Sequence, residues 1–291
     1  MILLTGATGF TGGFVLDLLL EKGYQVTCLV RKGSNIDKLS NKNVKVVYGD
    51  LDDYNSFASA LKGVSTLVNV ASLGFGHAPG IVKACCEAGV KRGVFFSTTG
   101  IFTQLNPASK KVRLEAEELI KNSGLGYTIL RPTMIYGTHA DRNMCRLVSF
   151  INKFSIIPVL GSGNFLQQPV YVKDLAKAVI LALENPKSIK KEYNVSGGKE
   201  LTYNQVIDTT ALALGKKVIK VHIPLGLCLF MLGMYEKLSK KPKFKKEQAL
   251  RLNENKNFSY QEIQKDLGYD AISFEEGIKL EIEEMRQRSL I

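Results

Sequence analysis

The sequence predicts a doubly wound α/β fold: a parallel sheet with helices on both faces, and a smaller mixed lobe toward the carboxyl end. Three observations carry that expectation. β-rich runs alternate with apolar-faced helical stretches as far as Leu130, a glycine-rich turn joins the first strand to the first helix, and the rhythm breaks after Thr133. Such alternation builds βαβ units, whose right-handed crossovers place helices on both faces of the sheet.

Residues 2–5 are a short β-rich run. Segment 14–20 (FVLDLLL) carries an apolar helical face that stops at Glu21-Lys22-Gly23. Strands are expected at 24–30, 44–48, 66–70, 93–97 and 127–130. The helices between them fall at 35–40, 54–61, 81–88 and 110–123, and the last three end before Gly63, Gly89 and Gly124. Beyond Thr133 the sequence predicts a helix over 139–152, a loop over 158–169 and a strand over 170–173. Asp174 would cap a helix running to about Leu183, because its carboxylate can accept from free first-turn amides. A turn at 194–198 after a short strand, a helix at 201–214 and one or two helices within 260–285 complete the chain. The expected division is a dinucleotide-binding domain over 1–133, joined by a returning strand and helix at about 169–184. Segments 134–168 and 185–291 then form the smaller substrate or partner lobe.

Composition narrows the class. With 291 residues, 45% hydrophobic and 23% charged, the chain can bury a full core. Its five cysteines include only one adjacent pair, Cys85-Cys86, and no C-x-x-C, which suits a reducing compartment better than a disulfide framework or a zinc site. No metal is expected. Met1 leads straight into the glycine turn and leaves no room for a secretory leader, so a cytoplasmic location is expected. A net charge of +12 favours anionic partners. Nucleic acid is not the expected one, because neither a zinc-finger spacing nor interleaved aromatic and basic residues occur.

Segment 223–234 (IPLGLCLFMLGM) is the most apolar stretch, too short to span a bilayer, and the basic run KLSKKPKFKK follows at 237–246. One reading is a peripheral membrane surface or protein partner through 223–246. The other is a helix packed in the smaller lobe, followed by a solvated loop.

The turn at 5–12 reads TGATGFTG, a G-x-x-G-x-x-G spacing between a strand and a helix. Gly6 can take backbone angles closed to other residues, Gly9 lets main chain approach a pyrophosphate, and Gly12 lets the helix lie close to the strand. Free amides at the helix start favour an anion. Thr8 and Thr11, flanking Phe10, add hydroxyl donors or cap the turn. The second strand ends in Arg31-Lys32 without an acidic residue. A fork-like guanidinium and a second cation suit a 2′-phosphate, so NADP is the expected cofactor, with NAD the alternative. Asp50, after the third strand, would accept from the adenine amino group or hold a local turn.

With these residues in place, the chain resembles the extended short-chain dehydrogenase/reductase superfamily of nucleotide-sugar epimerases and dehydratases, whose core is a Rossmann-type sheet. TGATGFTG is similar to its cofactor motif and Gly49-Asp50-Leu51 to its adenine-side motif. Asn69-Val70-Ala71 falls at its loop beneath the cofactor. YTILRPTMIY at 127–136, with Pro132 and Thr133, is similar to its sixth strand and nicotinamide-side turn; PVYVKD at 169–174 and Leu267-Gly268-Tyr269 are similar to later family segments. The resemblance implies a Tyr general acid/base, a Lys four residues later that lowers its pKa, and a Ser or Thr that orients the substrate. Thr99 matches the hydroxyl. If Lys110 is the lysine, the tyrosine position holds Asn106; if Lys111, Pro107. A third register sets Ser109 against Arg113. No register gives Tyr-x-x-x-Lys. The chain therefore looks most like atypical members that keep the dinucleotide fold and serve as sensors, assembly factors or accessory subunits.

Further candidates are Tyr136 as a phenol from another direction, His139 with Asp141 as an acid/base pair, and His77 beside the cofactor loop. Cys85 and Cys86, on a helix facing the sheet, are expected as buried small hydrophobes. Arg142 and Lys173 would attract an anionic small molecule, phosphorylated or nucleotide-linked. Two functions follow: an NADP-dependent oxidoreductase or epimerase-like enzyme, or a non-catalytic dinucleotide-binding sensor, assembly factor or membrane-associated accessory.

Overall fold

The computed structural model describes residues 1–105, 107–238 and 246–291. The first half runs β1 (Ile2–Thr5), α1 (Phe10–Glu21), β2 (Val26–Val30), α2 (Asp37–Ser40), β3 (Lys45–Tyr48), α3 (Tyr54–Ala60), β4 (Thr66–Asn69), α4 (Ala78–Glu87), β5 (Arg92–Phe96), α5 (Ala108–Lys121) and β6 (Gly126–Pro132). There follow β7 (Ile135–Tyr136), α6 (Met144–Lys153), β8 (Ile156–Leu160), β9 (Leu166–Gln167), β10 (Val170–Tyr171), α7 (Val172–Glu184), β11 (Lys191–Val195), β12 (Leu201–Thr202), α8 (Tyr203–Leu214) and β13 (Ile219–Ile223). The last helices are α9 (Leu225–Leu238), α10 (Lys246–Leu252), α11 (Gln261–Leu267) and α12 (Phe274–Gln287).

Seven parallel strands form the main sheet in the order β11-β6-β5-β4-β1-β2-β3, a Rossmann-type arrangement in which strand order reverses beside β1. β1 and β2 are buried along their whole length, as strands covered on both faces must be. On one face α1 and α7 bring Val15, Leu16, Leu175 and Val179 onto the sheet. On the other, Phe57, Ile81, Cys85 and Ile120 come from α3, α4 and α5. A third core in the smaller lobe joins Val148, Ile207 and Ile282 of α6, α8 and α12.

Several elements differ from the sequence reading. Residues 191–195, expected in the smaller lobe, are β11 of the main sheet. After the α7 crossover they pair in parallel with β6 and bury Tyr193 and Val195. The expected loop at 158–169 holds most of β8 and all of β9. β8 alternates inward Ile157 and Val159 with outward residues, but its partner β13 lies far along the chain, as does β12, the partner of β9. α6 starts only at Met144. Residues ahead of it are held by Asp141, whose carboxylate accepts from the amides of Asn143 at 2.8 Å and Cys145 at 3.2 Å.

Asp174 is no cap, because α7 begins at Val172. Its buried carboxylate instead accepts from the Ile272 amide at 3.0 Å. α8 begins at Tyr203, capped by Thr202 in a reciprocal pair with Gln205. α4 starts earlier than expected, with Pro79 in its first turn, where a missing N–H costs nothing. Cys85 is buried but Cys86 is exposed, since consecutive helical residues point about 100° apart. Segment 223–246 contains α9 and the first residue of α10; residues 239–245 of its basic run lie outside the described residues. Among the described residues, no helix is long and apolar enough to cross a membrane.

Candidate functional site

The site begins where β1 leaves the sheet. Gly6 has a φ of +75°, in the left-handed region, and a Cβ there would meet the Ala71 amide nitrogen at 3.2 Å. A Cβ on Gly12 would lie 1.9 Å from the Gly6 carbonyl oxygen, so only glycine lets α1 start this close to the turn. Gly9 precedes the helix in extended conformation, and no side chain caps it. The first amides of α1, at Phe10, Thr11 and Gly12, therefore have no acceptor within the helix, and the helix dipole adds a favourable field for an anion.

The floor beneath the turn is fixed from within. Thr5 Oγ1 donates to Asn69 Oδ1 at 2.7 Å, Asn69 Nδ2 donates to the Ala71 carbonyl at 2.9 Å, and the Ala71 amide donates back to Thr5 Oγ1 at 3.4 Å. Asn69 is fully buried, so it holds the Val70-Ala71 loop against the turn rather than reaching into the cleft.

A cleft of about 280 Å³ opens above, lined by Gly6, Thr8, Gly9, Asp50, Leu51 and Ala71 among others. A second hollow of about 670 Å³ shares Arg31, Ser34 and Asp50 with it and adds Lys32. Arg31 and Lys32 are exposed on a tight turn closed by the Ser34 amide on the Arg31 carbonyl at 3.0 Å. Asp50 Oδ1 accepts from the Asp52 amide at 3.1 Å. Phe75 and His77 also border the cleft, and His77 Nδ1 lies 3.0 Å from Asp52 Oδ1 on the facing loop. Ser34 and Phe75 were not singled out from the sequence. The R-K-G-S turn was a signal for the first, whereas nothing local marks a lone exposed Phe.

Past β6 a further cleft of about 650 Å³ separates the sheet ends from the smaller lobe. Thr99 lines it, buried, with Oγ1 donating to the Pro132 carbonyl at 3.2 Å. Thr133 Oγ1 donates to the Gln168 carbonyl at 2.5 Å, which ties the residues just after β6 to the link between β9 and β10. Lys110 Nζ donates to the carbonyl of Thr103, a lining residue, at 2.6 Å. Lys111 points the other way, exposed, with Glu115 at 3.8 Å. Asn106 lies outside the described residues. Pro107 precedes α5, and Arg113 turns its guanidinium toward Gly74.

The far wall comes from residues that the sequence reading passed over: Gln167, Tyr203, Arg251, Glu254 and Lys256. A parallel bridge sets Gln167 beside Lys256, and the Gln167 amide nitrogen is buried without an acceptor among the described residues. Glu254 accepts from Thr103 Oγ1 at 2.6 Å and from the Gln104 amide at 2.9 Å, closing one end of the cleft. Burial, with the nearby charge of Arg251, lowers the Lys256 ammonium from its ordinary range. Burial raises the Tyr203 phenol.

The remaining candidates lie elsewhere. Tyr136 is buried against Tyr171 and Phe274, and burial followed by the charge of Glu281 pushes its phenol up. His139 does not pair with Asp141. Its Nδ1 sits 2.8 Å from Glu284, while Asp141 holds the start of α6.

Comparison with known proteins agrees with this geometry. A family model described as NAD(P)H-binding matches residues 6–186. The chloroplast stem-loop binding protein of 41 kDa b from Arabidopsis thaliana is 28% identical over 241 residues, 74% of this chain and 63% of that protein, so the match spans under two thirds of its length. Eugenol synthase 1 from Petunia hybrida is 24% identical, covering 77% of each chain. A UDP-glucose 4-epimerase from Thermotoga maritima, solved with UDP-glucose, superposes with a TM-score of 0.77 at 20% identity over 99% of both chains, a likeness of fold. Glycine turn, strand order and matched span together place the chain in the NAD(P)H-binding family, on an epimerase/dehydratase-like fold.

Proposed function

We propose that the chain is an NADP-dependent oxidoreductase acting on a small or nucleotide-linked substrate held in the cleft between sheet and lobe. The observation that carries this reading is the cleft over the glycine turn. It is lined by Gly6, Thr8 and Gly9 beside the uncapped start of α1, reaches Arg31, and shares Arg31, Ser34 and Asp50 with the hollow that adds Lys32; a separate cleft beside the smaller lobe is large enough for a second molecule. The pyrophosphate would rest on the amides after Gly9, with Thr8 and Thr11 beside them. Arg31 and Lys32 would take the 2′-phosphate, Asp50 and Leu51 the adenine, and Pro132 with Thr133 the nicotinamide side. The dinucleotide would supply the hydride, and the chain would position it against the substrate.

Thr99 and Lys110 are the residues best placed to orient the reacting oxygen, and Lys111 is not. Titration with NADPH and NADH tests the cofactor half. The Arg31→Ala/Lys32→Ala variant is expected to lose about 30-fold in NADPH affinity while NADH binding is unchanged. Equal losses for both cofactors would remove the assignment of the 2′-phosphate.

A second reading, a non-catalytic sensor, assembly factor or accessory protein, is favoured by one feature. Among the described residues lining the large cleft the sole phenol is Tyr203, and burial moves it away from the pKa a proton donor needs. Tight NADPH binding with no cofactor oxidation in the presence of pooled aldehydes, ketones and nucleotide sugars would select this reading.

A further inference from the structure

α9 reads LGLCLFMLGMYEKL and carries charge only at Glu236 and Lys237. A helix apolar on all sides is normally enclosed on all sides. This one is not. Cys228 is buried, and Leu225, Leu229 and Leu232 are half-buried on the same side. On the opposite side Leu227 is 51% exposed, Phe230 66%, Met231 50%, Met234 51% and Leu238 81%. Those positions are spaced i, i+3, i+4, i+7 and i+11, so they make one continuous stripe along the helix.

We propose that this stripe docks on an anionic lipid surface, with α9 lying in the plane of the headgroups. Charge selects the occupant. The net charge is +12, and the ten residues that begin at Lys237 contain six lysines and no acid. Two copies of a chain with that net charge would repel one another on meeting stripe to stripe. A lipid surface bearing negative headgroups takes up the apolar side chains and attracts the lysines at once, each worth about fivefold in binding at low salt. The helix is too short to span: at about 1.5 Å per residue its 14 residues reach only two thirds of a hydrocarbon core. This surface is independent of whether the cleft turns over a substrate.

The test uses the full chain and phosphatidylcholine vesicles with and without phosphatidylserine. The protein is expected to sediment with the serine-containing vesicles at low salt, to be released by high salt, and to stay in solution with phosphatidylcholine alone. Phe230→Ser/Met234→Ser, at exposed positions that leave the fold intact by circular dichroism, is expected to bind at least tenfold more weakly. Because the chain has no Trp, Phe230→Trp gives a single emitter whose fluorescence is expected to shift to the blue on anionic vesicles. Failure to sediment with anionic vesicles, unchanged binding of the double variant, or an unshifted emission overturns the proposal. So does a dimer in solution that the double variant dissolves without any vesicle binding, which would assign the stripe to a second copy.

Discussion

One methyl group would close the turn proposed to hold the anion. Gly12→Ala places its Cβ against the Gly6 carbonyl, and neither main-chain segment can give way without moving β1 or α1. The expected outcome is a loss of NADPH affinity of about 100-fold or more by calorimetry, since the donors at the helix start are displaced with the turn. A variant that binds as the parent does would remove the glycine turn from the site. A second residue carries a pH signature. Glu281 is buried beside Asp141, and burial, then the neighbouring acid, pushes its carboxyl up to about 10. A pKa raised on folding means the folded protein keeps a proton that the unfolded chain releases, so stability is lost as pH rises from the ordinary carboxyl range toward 10. Glu281→Gln is accordingly expected to raise Tm by about 3–6 °C at roughly pH 8 and to give little gain near pH 4. A gain that does not depend on pH would show that shape rather than ionisation limits stability there.

At the scale of elements, Arg131 is the clamp to examine. It lies next to last in β6, 3.1 Å from both carboxylate oxygens of Glu117 on α5, reaches Glu192 on β11 at 3.2 Å, and covers the Phe102 ring. Glu117 is only 2% exposed, so removing its partner strands a buried charge. Arg131→Met is expected to cost about 3–5 kcal/mol in urea unfolding at unchanged m, and Arg131→Met/Glu117→Leu to recover most of it. A single-variant cost below about 1 kcal/mol would make the cluster a solvated pair instead. None of this was legible beforehand, because Glu117 on a charged helix looks like one more surface acid until α5 is laid on the sheet. β1 to β6 were legible for the opposite reason. Each is a short β-rich run bounded by its own turn residues, so the signal is local even at the half-exposed edge strand β3. β8 and β9 find their partners only far along the chain, and Gly161 and Gly163 between them read as loop.

For the molecule as a whole, the same distinction separates the two halves of the site. The proposed cofactor side is written in contiguous residues, Thr5 to Gly12 and Arg31-Lys32, so local spacing is enough to propose it. The far wall of the large cleft is assembled by a bridge between Gln167 and Lys256 and by Glu254 reaching the loop at Thr103, contacts that no spacing rule announces. The carboxyl-terminal segment belongs to two of the three cores: Ile263, Leu267 and Tyr269 join the one that holds α1 and α7, while Ile278 and Ile282 join the one that holds α6 and α8. Deleting 261–291 is therefore expected to unfold the sheet domain as well as the lobe, seen as loss of the cooperative thermal transition. A shortened chain that melts cooperatively would mean the two cores are separable. The backbone goes back and forth repeatedly, from β6 to the lobe, back through α7 and β11, out to α8, back to α11 and out again to α12. A cleft whose two banks are sewn together by so many threads has no lone pivot about which to swing open. Any closure on a guest is expected to be a small sliding of packed helices past one another, with the gap between the banks nearly the same in free and bound forms.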